Sequence, residues 1–455
     1  MRFSDRSAPG LVVICLMLAA CSSSATSPSA GSPSLGVPSP ILAPSPSPSP
    51  SPSQSPSALA SSSSTASDTV VIDDATSKAV VLPWGPATDP RPLAVFGSRA
   101  YYLELVSGKD AVTGKQKVPF VYRLHVADVA TGSTADVVTL APGHMFASAS
   151  SFGTSAFGGP AATANRLYWV EIWYDGLPNL EDTGGNAFGD LPQHWQVVAF
   201  DLAGGSRSVL ASGTNHRVAV QEAGAGINPP VIAVAGDRVA YTLESASTGA
   251  PNGSEIVVQS LADGKQVGTV VTKGFVPWIG LAGTVLAYRE ALGTNLDGST
   301  VRDARLMLRT FDGDAGAIAD VDDHVSDAGV SGDRLVWGRI DSTDGSAWTT
   351  SLSDGVPVHV AGPVAVGFTS GSETGTFQVS TTSGVSAWAA VGTVNGSDQA
   401  FVPFLWVVGD PNARLMVPST ILTMTVSDGW LTWSDGSDPA RLRGLPLGAI
   451  PALAP

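Results

Sequence analysis

Short apolar strands, separated by turns rich in Gly and Asp, recur along most of the chain. The phrase GDRVAYTLES at 236–245 returns as GDRLVWGRI at 332–340, and looser copies occur five more times. Each copy carries an aromatic residue in a strand that is apolar at odd and even positions alike, as expected for a strand buried on both faces. The seven aromatics are Tyr102, Trp169, Tyr241, Tyr288, Trp337, Trp388 and Trp433.

The spacing of these aromatics predicts a repeat architecture. The last five follow one another at intervals of 47, 49, 51 and 45 residues, and a period of roughly 40–50 residues is typical of propeller arrays. The earlier intervals are longer, which two Gly/Pro-rich insertions at 141–163 and 173–193 explain. Each repeat also has a short apolar strand before the aromatic one, and an alternating strand after it that ends in a turn such as ADGK at 262–265.

These repeats predict an all-β chain, a β-propeller of seven four-stranded blades, with six or eight blades as alternatives. We expect the aromatics to pack between blades. The last repeat offers two strands, GWLTWSD and ARLRGLPLG, and the N-terminal part offers KAVVLPW and PLAVFGS. The prediction is that two and two strands complete the last blade, because closure by the N-terminus removes free sheet edges.

The repeats resemble the TolB-type, WD40-like propeller repeats of bacterial envelope proteins. GDRVAYT with QSLADGK, and NRLYWVE with AFDLAGG, are similar to the two strands that characterise that family. The resemblance covers about 78–448 and implies the propeller fold. TolB itself has six blades and a separate α/β domain, so its partners and role are not implied for this chain.

The N-terminus has the pattern of an exported lipoprotein. Arg2 and Arg6 precede an apolar run at 11–18, which is shorter than the roughly 20 residues of a membrane span and has the length of a signal-peptide core. The sequence LAAC at 18–21 resembles the bacterial lipobox, which implies cleavage before Cys21 and a diacylglycerol on its thiol. The alternative is a plain secretory signal with an incidental cysteine.

The expected organisation therefore has four parts. They are a signal peptide at 1–20, a Cys21-anchored tether at 21–77, the propeller at 78–448 and a C-terminal tail at 449–455. Residues 22–66 are mainly Ser, Pro, Ala and Thr and can bury little apolar area, so a disordered, extended spacer is predicted. The expected location is extracytoplasmic, at the outer face of the cell membrane or in the envelope.

Charge and motifs narrow the range of functions. The formal net charge of −15 argues against nucleic acid and against direct contact with anionic membrane surfaces, since both need basic patches. The sequence contains no nucleophile elbow, HExxH, Walker or dinucleotide motif, and its six histidines show no metal-ligand spacing. We therefore predict no catalytic residue, no metal site and no cofactor. Ca²⁺ at the acidic segment 312–327, which lacks EF-hand offsets, is a minor alternative.

Two sets of residues are candidates for binding. If the aromatic strands are innermost, carboxylates two or three residues after the aromatics gather at one mouth of the central channel, where they suit a cation or a basic peptide. These are Glu104, Glu171, Glu244 and Glu290. The second set belongs to the long insertion at 173–193, because binding residues concentrate on loops of rigid scaffolds. It comprises Trp173, Tyr174, Asp175, Glu181, Asp182 and Asp190.

Solvated strand ends and packing of the loop are the simpler interpretations of these two sets. The sequence favours a non-enzymatic, lipid-anchored envelope propeller that binds a protein or glycan partner. The alternative is an envelope polysaccharide lyase or glycoside hydrolase that uses the channel-mouth carboxylates. A purely structural spacer is a third reading.

Overall fold

The computed structural model describes most of the repeat region. The described residues are 69–82, 92–107, 121–147, 161–176, 191–215, 229–244, 253–291, 304–311, 317–339, 341–342, 344–353, 355–362, 368–370, 376–382, 384–394, 397–417, 421–435 and 441–450. The predicted signal peptide, Cys21 and the Ser/Pro-rich segment lie outside them. Within the described ranges, no helix is long and apolar enough to cross a membrane.

The described strands form seven sheets, the first two of which follow a pair of N-terminal strands. The N-terminal pair is β1 (Thr69–Val71) and β2 (Lys78–Val81). Blade I contains β3 (Ala94–Phe96), β4 (Arg99–Ser107), β5 (Val121–Asp128) and β6 (Ser133–Thr139). Blade II contains β7 (Met145–Phe146), β8 (Ala161–Ala162), β9 (Arg166–Tyr174), β10 (Gln193–Asp201) and β11 (Arg207–Asn215).

The next three sheets are four-stranded meanders. Blade III contains β12 (Ile232–Ala235), β13 (Arg238–Glu244), β14 (Ser254–Ser260) and β15 (Gln266–Val271). Blade IV contains β16 (Phe275–Ala282), β17 (Val285–Ala291), β18 (Ala304–Thr310) and β19 (Ala317–Asp322). Blade V contains β20 (Val325–Ser331), β21 (Arg334–Arg339), β22 (Ala347–Ser351) and β23 (Val358–Val360).

The last two sheets take up the N-terminal strands. Blade VI contains β24 (Phe368–Ser370), β25 (Thr376–Thr381), β26 (Val385–Val394), β27 (Ser397–Val407) and β28 (Arg414–Val417), with β1 parallel to β28 at its outer edge. Blade VII contains β29 (Ile421–Ser427), β30 (Trp430–Asp435) and β31 (Arg441–Pro446), with β2 antiparallel to β31. A 3₁₀ turn, Leu447–Ala449, follows.

The sheets close into a ring. Seven clusters of buried apolar residues each join two neighbouring blades, and the cluster with Val80, Leu442 and Tyr102 joins blade VII to blade I. The first strands of successive blades also contact one another around the centre. The prediction of an all-β propeller with seven four-stranded blades is therefore confirmed.

The recurring phrase marks the turn between the first and second strands of a blade. Gly236 and Gly332 lie in these turns with φ of 59° and 62°, a conformation that glycine adopts without steric cost. The aromatic that follows lies on the second strand and packs toward the preceding blade. Trp337, for example, is fully buried against blade IV. The predicted packing role of the aromatics agrees with this arrangement.

Two details of the predicted architecture are wrong, and one condition is not met. The aromatic strands are second in each sheet, in agreement with the short strand predicted before each of them, and so they are not innermost, as the channel-mouth ring would require. Blade VII is closed by three C-terminal strands and one N-terminal strand rather than two and two, because β29 is the first strand of blade VII and Ala94–Phe96 is the first strand of blade I. Regular structure also begins before residue 78, since Thr69–Val71 is already paired with blade VI.

Candidate functional site

The predicted channel-mouth carboxylates lie on the second strands of their blades, and those whose side chains are described are hydrogen-bonded to neighbouring residues. Glu104 accepts a hydrogen bond at 2.9 Å from His125 Nε2. Glu290 Oε1 accepts the backbone N–H groups of Lys273 and Gly274 at 2.7 and 2.8 Å. For Glu244 only the backbone, at the end of β13, is described. The predicted ring of carboxylates at the channel mouth required the aromatic strands to be innermost, and they are not. A binding role for the individual residues stays a prediction.

Glu171 is the centre of a polar network in blade II. Its side chain is fully buried, and its Oε1 lies 2.5 Å from Nδ1 of His144. Its Oε2 accepts from the indole N–H of Trp169 at 3.2 Å and lies 2.8 Å from the Arg207 guanidinium. Three donors thus converge on one carboxylate, which satisfies the requirement that a buried charge be paired and hydrogen-bonded.

A row of three rings crosses blade II beside this carboxylate. Trp173 lies on β9, and its indole stacks on His144, with centroids 4.6 Å apart and planes 6° apart. Its other neighbour is His194 of β10, at 5.4 Å and 19°. Register explains the row, because Trp173 is directly opposite His194 and cross-strand neighbours share a face. His144 immediately precedes β7, which pairs with the other side of β9.

The outer end of the row is held by a second carboxylate. His194 Nε2 lies 2.8 Å from Oδ1 of Asp175, and its Nδ1 lies 3.0 Å from the hydroxyl of Thr214. Asp175 is 59% exposed, whereas the two histidine side chains are about one-quarter exposed, at 23% and 24%. We call His144, Glu171, Trp173, Asp175 and His194 the blade II cluster. Glu171 is buried within it, whereas Asp175 is largely open to solvent.

The hydrogen bonds determine what each imidazole can offer. An ionised carboxylate only accepts hydrogen bonds, so Nδ1 of His144 carries the proton given to Glu171. In the neutral ring Nε2, on the far side, is then an acceptor. The same reasoning has Nε2 of His194 donate to Asp175. The cluster therefore combines a hydrogen-bond acceptor, an indole edge and an exposed carboxylate.

Tyr174 points to the opposite face of β9 from Trp173. Its hydroxyl accepts a hydrogen bond at 2.7 Å from Nε2 of Gln193, and burial raises the pKa of the Tyr174 phenol. Of the other residues predicted in the 173–193 insertion, Glu181, Asp182 and Asp190 lie outside the described residues. The structure thus brings together Glu171, Trp173 and Asp175 from the two candidate sets.

The two histidines of the cluster were missed because their positions in the sequence, 50 residues apart, show no ligand spacing. A signal was nevertheless present. Trp173 and His194 flank the predicted insertion at 173–193, and residues that flank a hairpin loop are opposite each other in the sheet. His144 lies inside the other predicted insertion, at 141–163, of which 148–160 are not described.

The acidic segment at 312–327 gives a smaller group in its described part. Ligand atoms of Asp322, Asp323 and His324 lie within 4.8 Å of one another. Asp322 Oδ2 already accepts from the Trp337 indole at 2.7 Å and from Arg339 at 3.4 Å. The Asp322 carboxylate, at the end of β19 in blade IV, is thus already hydrogen-bonded to two side chains of blade V.

Comparison with known proteins finds similar solved structures but no matching family. No protein-family model and no curated protein matches the chain. Among solved structures, it is similar to the β-propeller domain of the Trilobed protease from Pyrococcus furiosus, with 9% identity, a TM-score of 0.47, and 81% of this chain and 93% of that chain covered. It is also similar to the WD40 β-propeller domain of Doa1, with 10% identity, a TM-score of 0.43, and 81% and 96% covered.

A third similar structure is an oligogalacturonate lyase in complex with manganese. Its identity is 12% and its TM-score 0.43, and the match covers 82% of this chain and 90% of that chain. The seven blades are established by the sheets of the chain itself. At these identities the similarities concern shape alone, and the site has to be judged from its own residues.

Proposed function

We propose that this protein is a lipid-anchored, extracytoplasmic propeller that binds a protein or glycan partner through the blade II cluster. The observation that carries the proposal is the row of His144, Trp173 and His194, each histidine held by its own carboxylate. Anchoring through Cys21 is proposed from the lipobox-like sequence alone.

The five residues of the blade II cluster are not among the buried apolar residues that join blade II to its neighbours. The blades are joined by buried apolar contacts, whereas His144, His194 and Asp175 are partly exposed and lie within or beside the predicted insertions at 141–163 and 173–193 in the sequence. Aromatic residues with fixed orientation are favoured at interfaces because they lose little entropy on binding. The carboxylate–imidazole bonds fix the orientation here, and the indole edge and Asp175 are left to contact a partner.

The test is crosslinking in cells followed by purification of the full-length lipoprotein. Trp173→Ala is expected to reduce partner recovery by about tenfold. The matched control is Trp348→Ala, since Trp348 also packs beside a histidine, His359, with centroids 4.9 Å apart in blade V. Equal recovery from the native protein and from Trp173→Ala would contradict the proposed site. Isolated cell-wall glycan, used as bait in a second experiment, identifies the partner class.

The anchor needs a separate test, because a correct site does not imply it. Cells fed an alkyne fatty acid should label the native protein and leave Cys21→Ser unlabelled. Label on both proteins, or on neither, would contradict acylation of Cys21 and would leave the result for the blade II cluster unaffected.

One observation supports the enzymatic alternative. His144 is oriented by a buried carboxylate, which is the arrangement that a general base requires. An envelope lyase or glycoside hydrolase would then use His144 rather than the channel-mouth carboxylates. Cleavage of any polymer in a cell-wall polysaccharide panel by the native protein, abolished in His144→Gln, would establish this alternative; no cleavage on the whole panel would count against it.

A further inference from the structure

A cavity of about 270 Å³ lies at the centre of the ring. Its walls come from the first strands of four successive blades, β12, β16, β20 and β25. These strands each pair with the second strand of their own blade, so their other edges face the cavity. Known ligand sites occupy roughly 300–1,000 Å³, so this cavity is slightly smaller than that range and suits only a small ligand.

The lining is uncharged. None of the twelve lining residues has a titratable side chain, and most are apolar, among them Val234, Ile279, Leu281, Val330 and the indole of Trp278. The hydroxyl groups of Ser380 and Thr381 are also present. Desolvation penalises a charged ligand in such surroundings, while apolar groups gain from leaving water.

The wall between blades V and VI is fixed by buried polar groups. Asp327 lies directly behind the lining, where its two oxygens accept the N–H groups of Ala328 and Val379, each at 2.9 Å. Ser326 is held from the other side, because Arg289 donates to its carbonyl at 2.6 Å. Burial raises the pKa of Asp327 to about 7. Two neighbouring wall strands are therefore joined through one carboxylate.

Backbone strain occurs in the same wall. Gln378, buried next to Val379, has φ of 55° and is the one non-glycine residue with positive φ among the described residues. Positive φ at a side-chain-bearing residue costs about 1–3 kcal/mol and persists where the surroundings enforce it, often at ligand sites. The cavity, its uncharged lining and the strained backbone of its wall thus occur together at the inner strands of blades V and VI.

We propose that this central cavity is a binding site for a small, uncharged molecule that presents both apolar and hydrogen-bonding groups. It is a separate site from the blade II cluster and does not depend on the function proposed for that cluster. The inner strands supply a preformed pocket, and their free edges supply backbone groups for one or two hydrogen bonds.

The experiment uses N-phenyl-1-naphthylamine, an uncharged probe that fluoresces in apolar surroundings. The native protein is expected to bind it saturably with a stoichiometry of one. Ala233→Phe fills the cavity from β12 and should weaken binding by about tenfold. Ala235→Phe is the matched control, since Ala235 lies two residues further along the same strand and does not line the cavity. Unchanged binding in Ala233→Phe would overturn the proposal.

Two further measurements complete the test. If Ala233→Phe loses the far-ultraviolet spectrum of the native sheet, Ala233→Leu makes the same comparison with a smaller side chain. The charged analogue 8-anilinonaphthalene-1-sulfonate is expected to bind about tenfold more weakly than the neutral probe. Equal affinities would contradict an uncharged ligand class, and absence of saturable binding of the neutral probe would contradict the site itself.

Discussion

Blade II and the junction of blades V and VI both bury a carboxylate, and they use it differently. Glu171 is bound by side chains, namely His144, Trp169 and Arg207. Asp327 is bound by backbone N–H groups on two strands. A carboxylate bound to the backbone determines where strands run, whereas one bound to side chains orients groups that still reach solvent. The backbone-bound carboxylate joins two strands of the ring, and the side-chain-bound carboxylate belongs to the cluster for which we propose a role in recognition.

The sharpest way to break this comparison is to remove the Asp327 carboxylate. Asp327→Ala leaves two buried N–H groups without their acceptor, and each unsatisfied group costs about 1–3 kcal/mol. We expect the free energy of unfolding to fall by about 3 kcal/mol, measured by urea denaturation. Trp173→Ala, at the partly exposed end of the blade II cluster, should cost less than about 1 kcal/mol. A reversed order of these two losses would contradict the assignment of roles.

Glu171→Gln tests the side-chain network. Three donors face Glu171, and a single amide oxygen cannot accept from all of them, so we expect a loss of about 2 kcal/mol. Glu290→Gln is the matched control, because it lies at the equivalent position two residues after its blade aromatic, and its amide oxygen can still accept from Lys273 and Gly274. Its loss should be below about 1 kcal/mol, and equal losses would show that the network adds nothing.

The pH dependence of stability offers a third distinction. Burial raises the pKa of Asp327 from 3.8 to about 7, so between these values the folded protein binds a proton that the unfolded chain has lost. The contribution is therefore complete below about pH 4 and is lost as pH rises to about 7, by about 1 kcal/mol per pH unit. Asp327→Asn should lack this slope in urea titrations at pH 5, 6 and 7. Parallel curves would contradict the raised pKa.

The smallest effect is expected at the outer end of the blade II row. His194→Ala removes a ring that is 24% exposed, so the free energy of unfolding should change by about 0.5 kcal/mol or less. Partner recovery should nevertheless fall, since Trp173 loses the stacking neighbour that holds its indole. A large loss of stability with unchanged recovery would assign the row to packing.

Much of the fold could be predicted because the repeat is local. The phrase around Gly236 specifies a turn and a doubly buried strand within ten residues, and seven copies specify the ring. The distance of the aromatic strand from the centre of the ring could not be read from its pattern, since burial on both faces is the same for a first and a second strand. The sequence analysis also missed that β29 is the first strand of blade VII. The reason is related, because a short alternating strand carries no information about which strand lies beside it.

The candidate site was predictable only in part. Trp173 and Asp175 could be chosen because aromatic and acidic residues in an insertion are unusual. Their connection with Glu171 and His144 depends on register across three strands, and register is fixed by turns and bulges whose geometry the sequence does not state. The cavity depends on four strands from four blades, so no local pattern indicates it.

The N-terminal strands also decide how the ring responds to a mechanical load. Tension that arrives from the N-terminal side of Thr69 meets β1 first, and β1 is held by three residue pairs at the outer edge of blade VI. The load next meets Asp74, which is paired with Arg443 of blade VII, and only then β2. Detachment of β1 would lengthen the chain while the closing strand stayed in its place. A pull from the N-terminal side would therefore act on the three residue pairs of β1 before it acts on β2, the strand that completes blade VII.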